Sequence, residues 1–217
     1  LVGSEMCIRD RLKAGGNAMD AAVAACAVQC VVEPESTGIG GDCFCLYSKG
    51  GSTDIVAFNG SGTAPAAASV EWYEGQGIEE IGEGTAHAVT IPGAIDAWER
   101  LLADHGTRGL DELLRPAIRY AREGYPIGSR VHADFAAKVD YLKRDANAAR
   151  IFLPGGRVPP VGSRHRQPEL ADTLERIAKR GRAEFYEGET ARDTVAYLKE
   201  HGGLHTLEDL SLIHISE

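Results

Sequence analysis

Residues Glu33–Tyr47 read EPESTGIGGDCFCLY. A run of small side chains, Ala18 to Ala27, leads into this stretch, and Pro34 disfavours helical geometry at Glu33. Three glycines, Gly38, Gly40 and Gly41, then fill three of four positions ahead of an apolar segment. Such a cluster is either a phosphate cradle or a place where main chain crosses main chain on the way into a strand. A phosphate loop follows a strand and opens a helix, so that the helix N-terminus faces the anion. Here a helix ends and the glycines lead into a strand, with no Lys-Ser or Lys-Thr pair behind them. Gly38, Gly40 and Gly41 are therefore read as structural glycines, supplying positive φ and close backbone approach.

Working outward, Asn17 is placed to cap a helix, with Asp20 three residues on in a capping-box arrangement. That helix should run to about Val32, and its small side chains predict burial all round rather than a surface stripe. Downstream, Cys43–Tyr47 and Asp54–Phe58 read as two strands around SKGG, a turn whose glycines suit positive φ. The loop NGSGTAPAAA follows. VTIPGAIDAWERLLADHG reads as a strand end, a Pro-Gly turn and a helix from about Ala94 closed by Gly106. Pro116 opens a short helix that ends at Gly124. Ser129 is expected to cap a helix reaching about Asn147, and RVPPVGSRHRQP reads as an irregular connection. Helices are expected over Pro168–Lys179 and Glu189–Glu200, and Thr206 with Asp209 begins another capped helix. Strands first and helices after is an α+β order, suited to the helical side of a mixed sandwich rather than to an alternating parallel sheet.

With 217 residues and a formal net charge of -9, the chain can bury a substantial core and lacks the clustered Lys and Arg that nucleic acid requires. No window approaches the ~20 apolar residues of a spanning helix. Neither nucleic acid nor membrane is expected as a partner. Residues 1–11 (LVGSEMCIRDR) and 211–217 (SLIHISE) resemble translated sequencing-adapter read-through and are read as non-native, leaving 12–210 for fold reasoning. Of the cysteines, Cys26, Cys30, Cys43 and Cys45 lie in that region. Their spacing is not that of a zinc ribbon, and they sit among Ala, Val, Phe and Leu, so core packing is expected and no metal or cofactor. Buried thiols favour a reducing compartment, while a periplasmic or secreted location stays open because residues before Leu12 carry no information.

No histidine cluster, paired-carboxylate arrangement or G-x-S-x-G elbow is legible. His201 and His205 are four apart, but Gly202 and Gly203 break any helix that could align them, and both read as surface residues. Thr85 and His87, in GTAHAV, could be imagined as a nucleophile and its partner. A nucleophilic threonine ordinarily uses its own freed α-amine as base, and Thr85 lies within an apolar strand-and-turn context instead.

Taken together, the long run GGNAMDAAVAACAVQCVVEPESTGIGGDCFCLY, followed by FNGSGTAPA, VTIPGAIDAW, LLRPAIRYAREGYPI, EFYEG and HGGLHTLEDL, resembles the gamma-glutamyltranspeptidase family. The resemblance implies an N-terminal-nucleophile hydrolase, with this chain as a helix-rich part of a four-layer αββα sandwich. It implies a precursor that cleaves itself into a large and a small subunit. The newly exposed threonine of the small subunit then attacks a γ-glutamyl amide. Residues 12–210 would belong to the large subunit, with no catalytic residue in this chain and the small subunit as its partner. Glutathione-cleaving members carry an Arg that grips the substrate α-carboxylate ahead of an Ala-Pro. Here the loop reads FNGSGTAP, with Ser61 at the spacing of that Arg. Asn59, Ser61 and Thr63 are therefore candidate contacts to a small-molecule amide, with turn chemistry alone the competing account. Relatives with a G-S-G loop resemble amidohydrolases or acylases acting on other amides, oxamate among them, and a non-catalytic structural module is the remaining alternative.

Overall fold

The computed structural model describes residues 2–211, with side chains from Glu5 onward. Residues 212–217, most of the C-terminal segment read as non-native, lie outside the described residues. Helices α1 (Val2–Lys13) and α2 (Ala18–Val32) precede a hairpin of β1 (Cys43–Ser48) and β2 (Ile55–Gly60). Next come α3 (Val70–Gly75), α4 (Ala94–His105), α5 (Leu110–Leu113), α6 (Arg115–Glu123), β3 (Tyr125–Pro126), α7 (Ser129–Ala137), α8 (Val139–Leu142) and α9 (Ala146–Phe152). The chain continues through β4 (Arg164–His165), α10 (Pro168–Arg180), α11 (Arg182–Tyr186), α12 (Glu189–Glu200) and α13 (Leu207–Ser211). The fold is α+β, helix-rich, with its described strands in two antiparallel pairs, β1 with β2 and β3 with β4.

Two compact units are formed. One takes the residues up to Gly38 together with Gly106–Lys179, the other Ile39–His105 together with the chain from Arg180.

The first unit is organised by α2. Its capping box forms as expected: the Asn17 side chain accepts from Asp20 N, and the Asp20 carboxylate accepts from Asn17 N. Asp20 is fully buried and also takes Thr107 N at 2.8 Å, Thr107 Oγ1 at 2.5 Å and Arg108 N at 3.1 Å. One carboxylate thus fixes the start of α2 to the segment leaving α4. Burial alone would raise its pKa, but these donors outweigh burial and hold it below the ordinary carboxylate value. The small side chains of α2 pack against α1 and α6. One line of α2 stays open, Ala22, Cys26 and Gln29. This corrects the expectation for the cysteines: Cys30 is buried, but Cys26 is exposed and Cys43 and Cys45 are half-buried. Four residues advance a helix by about 40°, enough to leave Cys26 at the open line and turn Cys30 inward. Within α1, Cys7 is buried and Arg11 pairs with Glu112 at 3.0 Å.

Two local expectations in this unit are also corrected. Residues 129–147 are not one helix but α7, α8 and the start of α9, and Gly128 rather than Ser129 precedes the first of them. Asp145 interrupts the run by capping α9, accepting from Ala148 N at 2.6 Å. The connection read as irregular contains β4, which pairs Tyr125 with His165 and Pro126 with Arg164.

In the second unit the hairpin runs in the register Cys43↔Gly60 to Ser48↔Ile55. Its turn uses Gly50 and Gly51 at φ 63° and 74°, as the SKGG reading expects. One face, with Cys43, Cys45 and Tyr47, lies toward α4, where Tyr47 stacks on His105. The other face leaves Phe44, Leu46 and Ile55 exposed at 70%, 79% and 64%. α4 is tied to α11 through Asp96, which pairs with Arg100 at 2.9 Å and Arg182 at 3.1 Å.

Candidate functional site

The end of β2 and the loop that follows it, residues 58–66, carry the candidate residues. This segment is positioned by glycines. A Cβ at Gly60 would lie 2.6 Å from Ala97 Cβ and 2.7 Å from the Cys43 carbonyl oxygen. One at Gly62 would overlap the Ile91 carbonyl, and one at Gly93 the Gly60 carbonyl. None of the three has a positive φ, so what demands glycine is proximity, not conformation.

That finding moves the crossing of main chains away from the run that suggested it. Gly38, Gly40 and Gly41 all lack positive φ, and a Cβ at Gly38 or Gly40 would meet nothing within 4 Å. Gly40 and Gly41 are exposed. The expected strand does follow directly, as β1. Gly41 contributes through its carbonyl oxygen, which accepts from Gly93 N at 3.0 Å and Ala94 N at 2.9 Å and so satisfies the start of α4.

Hydrogen bonds complete the framework. Asp42 Oδ1 accepts from Gly62 N at 3.1 Å, and Thr63 O accepts from Ile91 N at 2.9 Å. Asp209 Oδ1 accepts from Ala66 N at 2.9 Å. Burial tends to raise the Asp209 carboxyl, but bonds from Ala66 and Thr206 prevail and lower it. Tyr186, fully buried, donates to Pro92 O at 2.8 Å and accepts from Asp96 N at 3.2 Å, holding the turn that faces the loop. Tyr186→Phe removes both bonds while keeping the ring. A loss of about 2 kcal/mol is expected, roughly 4–8 °C in Tm for a domain of this size, measurable by thermal melting.

Asn59, Ser61 and Thr63 are brought together here, all exposed. Asn59 Oδ1 accepts from Ser61 N at 3.1 Å and from Ser61 Oγ at 2.6 Å. This is an Asx-type turn between two exposed side chains. No Lys or Arg occurs between Lys49 and Arg100, so residues 58–66 carry no cation, and the charged side chains bonded to their backbone, Asp42 and Asp209, are both acidic.

The alternative nucleophile is not assembled. Thr85 Oγ1 donates to Gly82 O at 2.9 Å, and its backbone N is an amide in mid-chain. His87 Nδ1 faces Tyr73 Oη at 3.4 Å instead. His205, expected at the surface, is buried, with Nε2 on Val89 O at 2.8 Å. His201 is exposed. Sequence reasoning missed Asp42, Asp209 and Gly93 as organisers of the loop. Their partners lie 20, 143 and 33 residues away, beyond any local spacing signal.

The model of the family described as gamma-glutamyltranspeptidase matches residues 5–216. The chain belongs to the gamma-glutamyltranspeptidase family. This places it in the N-terminal-nucleophile hydrolase superfamily, as the sequence resemblance implied. It is 36% identical over 198 residues to the glutathione hydrolase-like YwrD proenzyme of Bacillus subtilis (strain 168), covering 91% of this chain and 38% of that one. Among solved structures, gamma-glutamyltranspeptidase of Helicobacter pylori matches with TM-score 0.91 at 30% identity, covering 96% of this chain and 61% of that chain. Cephalosporin acylase of Bacillus halodurans matches with TM-score 0.89 at 40% identity, covering 96% and 40%. The chain thus spans well under half the length of the YwrD proenzyme and of the acylase.

Proposed function

We propose that residues 12–210 form a large-subunit portion of an amide-cleaving enzyme of the gamma-glutamyltranspeptidase family. Its nucleophile is a threonine outside residues 1–217. The threonine Oγ attacks the carbonyl carbon of a γ-glutamyl amide while its own α-amine accepts the hydroxyl proton. The unperturbed pKa of such an amine, about 7.7–8.0, suits that exchange. Collapse of the tetrahedral intermediate breaks the C–N bond, and the amine returns the proton to the leaving nitrogen. Water or an amino acceptor then takes the acyl group. Asn59, Ser61 and Thr63 line the acyl pocket from this chain's side, and Gly41, Gly60, Gly62 and Gly93 hold their loop. The small subunit cut from the same precursor is the partner. What supports this is the family membership together with three exposed polar side chains on a segment where main chain crosses main chain at glycines. The exposed ribbon face of Phe44, Leu46 and Ile55 is an apolar surface of the kind that a further subunit covers.

One observation favours a second reading within the same chemistry. A bidentate Arg is the strongest anchor for a substrate carboxylate, and residues 58–66 offer none. An acyl group other than γ-glutamyl, as in an acylase or an oxamate-type amidohydrolase, fits that loop.

The complete enzyme, assayed on a γ-glutamyl p-nitroanilide and on oxamate, separates the two. Efficient γ-glutamyl turnover supports the first reading, and turnover of oxamate alone supports the second. Turnover of neither contradicts the first reading and the oxamate form of the second. Residues 1–217 by themselves are expected to release no product from either substrate.

A further inference from the structure

Between Thr63 and Ile91, whose backbones are bonded to each other, the chain makes a 27-residue excursion that begins and ends beside the candidate loop. Within residues 64–90 only Pro65 and Ala86 are buried. Glu71, Glu74, Glu79, Glu80 and Glu83 lie in it with no Lys or Arg, so like charges oppose its compaction. Apart from the Trp72, Tyr73 and His87 ring cluster, with Tyr73 Oη 3.4 Å from His87 Nδ1, its internal ties are local: the short helix α3 with its Ser69 cap, and turn bonds at 65–69, 73–78 and 82–89. Few buried side chains over so long a stretch mark a region that opens locally at low cost.

Both shoulders of the excursion are held by one short segment. α12 ends in a Schellman arrangement, with Gly202 at φ 85°, Gly202 N on Lys199 O and Gly203 N on Leu198 O at 2.7 Å. The chain is thereby redirected along residues 203–209. Gly203 lies against Ala86, since a Cβ there would sit 3.1 Å from the Ala86 Cβ. His205 Nε2–H donates to Val89 O at 2.8 Å on the C-terminal shoulder. Asp209 Oδ1 accepts from Ala66 N at 2.9 Å on the N-terminal shoulder, while its Oδ2 takes Thr206 N and Oγ1 at 2.8 and 2.7 Å.

We propose that residues 64–90 are a hinged flap whose base is Thr63 and Ile91, and that the strap 203–209 is its latch, with His205 and Asp209 as the two catches. Releasing either catch frees a shoulder and, through the Thr63–Ile91 bond, loosens Thr63. The gating role of the flap rests on the reading of residues 59–63 as the substrate loop. The latch itself does not.

Hydrogen exchange of the 217-residue chain, followed peptide by peptide, tests it without any activity. Asp209→Ala is expected to speed exchange across 64–90 by about tenfold or more, with α4 in the same unit unchanged. Asp209→Asn keeps a carbonyl acceptor for Ala66 N and should restore most of the protection. His205→Ala and His205→Gln form the parallel pair, because Gln retains a donor for Val89 O. Unchanged exchange over 64–90 in Asp209→Ala overturns the proposal, as does loosening of α4 in step with it or failure of Asn to rescue. Where Asp209→Ala does not fold, the His205 pair decides by the same comparison. Failure of the complete enzyme to cleave either amide, with these exchange results intact, would count against the function alone.

Discussion

Gly62→Ala is expected to destabilise the second unit by about 3 kcal/mol and to abolish the ordered 58–66 loop. The added methyl would overlap a backbone carbonyl, not the end of a flexible side chain. That carbonyl cannot swing aside cheaply: Ile91 is buried, and its own N–H is engaged by Thr63 O. Gly38→Ala is the matched control. With nothing near its Cβ and no positive φ, it is expected within about 0.5 kcal/mol of wild type, as for substitutions away from packed features. Urea unfolding of both variants reads the contrast directly. Equal effects would mean that backbone crossing is not at the 60–62 and 91–93 segments.

The second large effect belongs to Asp20. Asp20→Ala removes an acceptor shared by four donors on two segments, Asn17 N, Thr107 N, Thr107 Oγ1 and Arg108 N. It leaves those donors without their partner in a site where the residue is fully buried. Hydrogen bonds to a charged group are worth about 1.5–3 kcal/mol each before relaxation, so a net loss of about 3 kcal/mol or more is expected. A pH dependence follows. The folded carboxyl titrates below its unfolded value of about 3.9. Its contribution is therefore complete above that value and declines as pH falls through the folded pKa. Wild type should lose stability below about pH 4 more steeply than Asp20→Asn, in which the side chain no longer ionises.

Much of the framework was legible because it is local. The Asn17–Asp20 capping box, the SKGG turn, Pro116 opening a helix and the Gly202 break each depend on residues within five positions of one another. Their physics is written in that window. What the sequence concealed depends on distant partners. GIGGD looked like a crossing because glycine density is visible in one stretch. The actual crossing joins Gly60 and Gly62 to Ile91 and Gly93, across some thirty residues. His205 looked like a surface residue because two glycines flank its approach. Those glycines instead turn the chain inward, to a carbonyl 116 residues earlier. Cys26 and Cys30 share a face by spacing alone, yet 40° of rotation separates an open line from a packed one. Asn59 and Ser61 stand out in the sequence by their loop, and their mutual bonds form its turn.

The most direct test concerns where the acyl group is carried. The complete enzyme, mixed with an amide substrate it turns over and quenched rapidly in acid, should yield an acylated peptide on digestion and mass spectrometry. The account predicts the acyl group on the N-terminal threonine of a cleaved fragment that begins beyond residue 217. An acyl group on Thr85, or on any other side chain of residues 1–217, would contradict it.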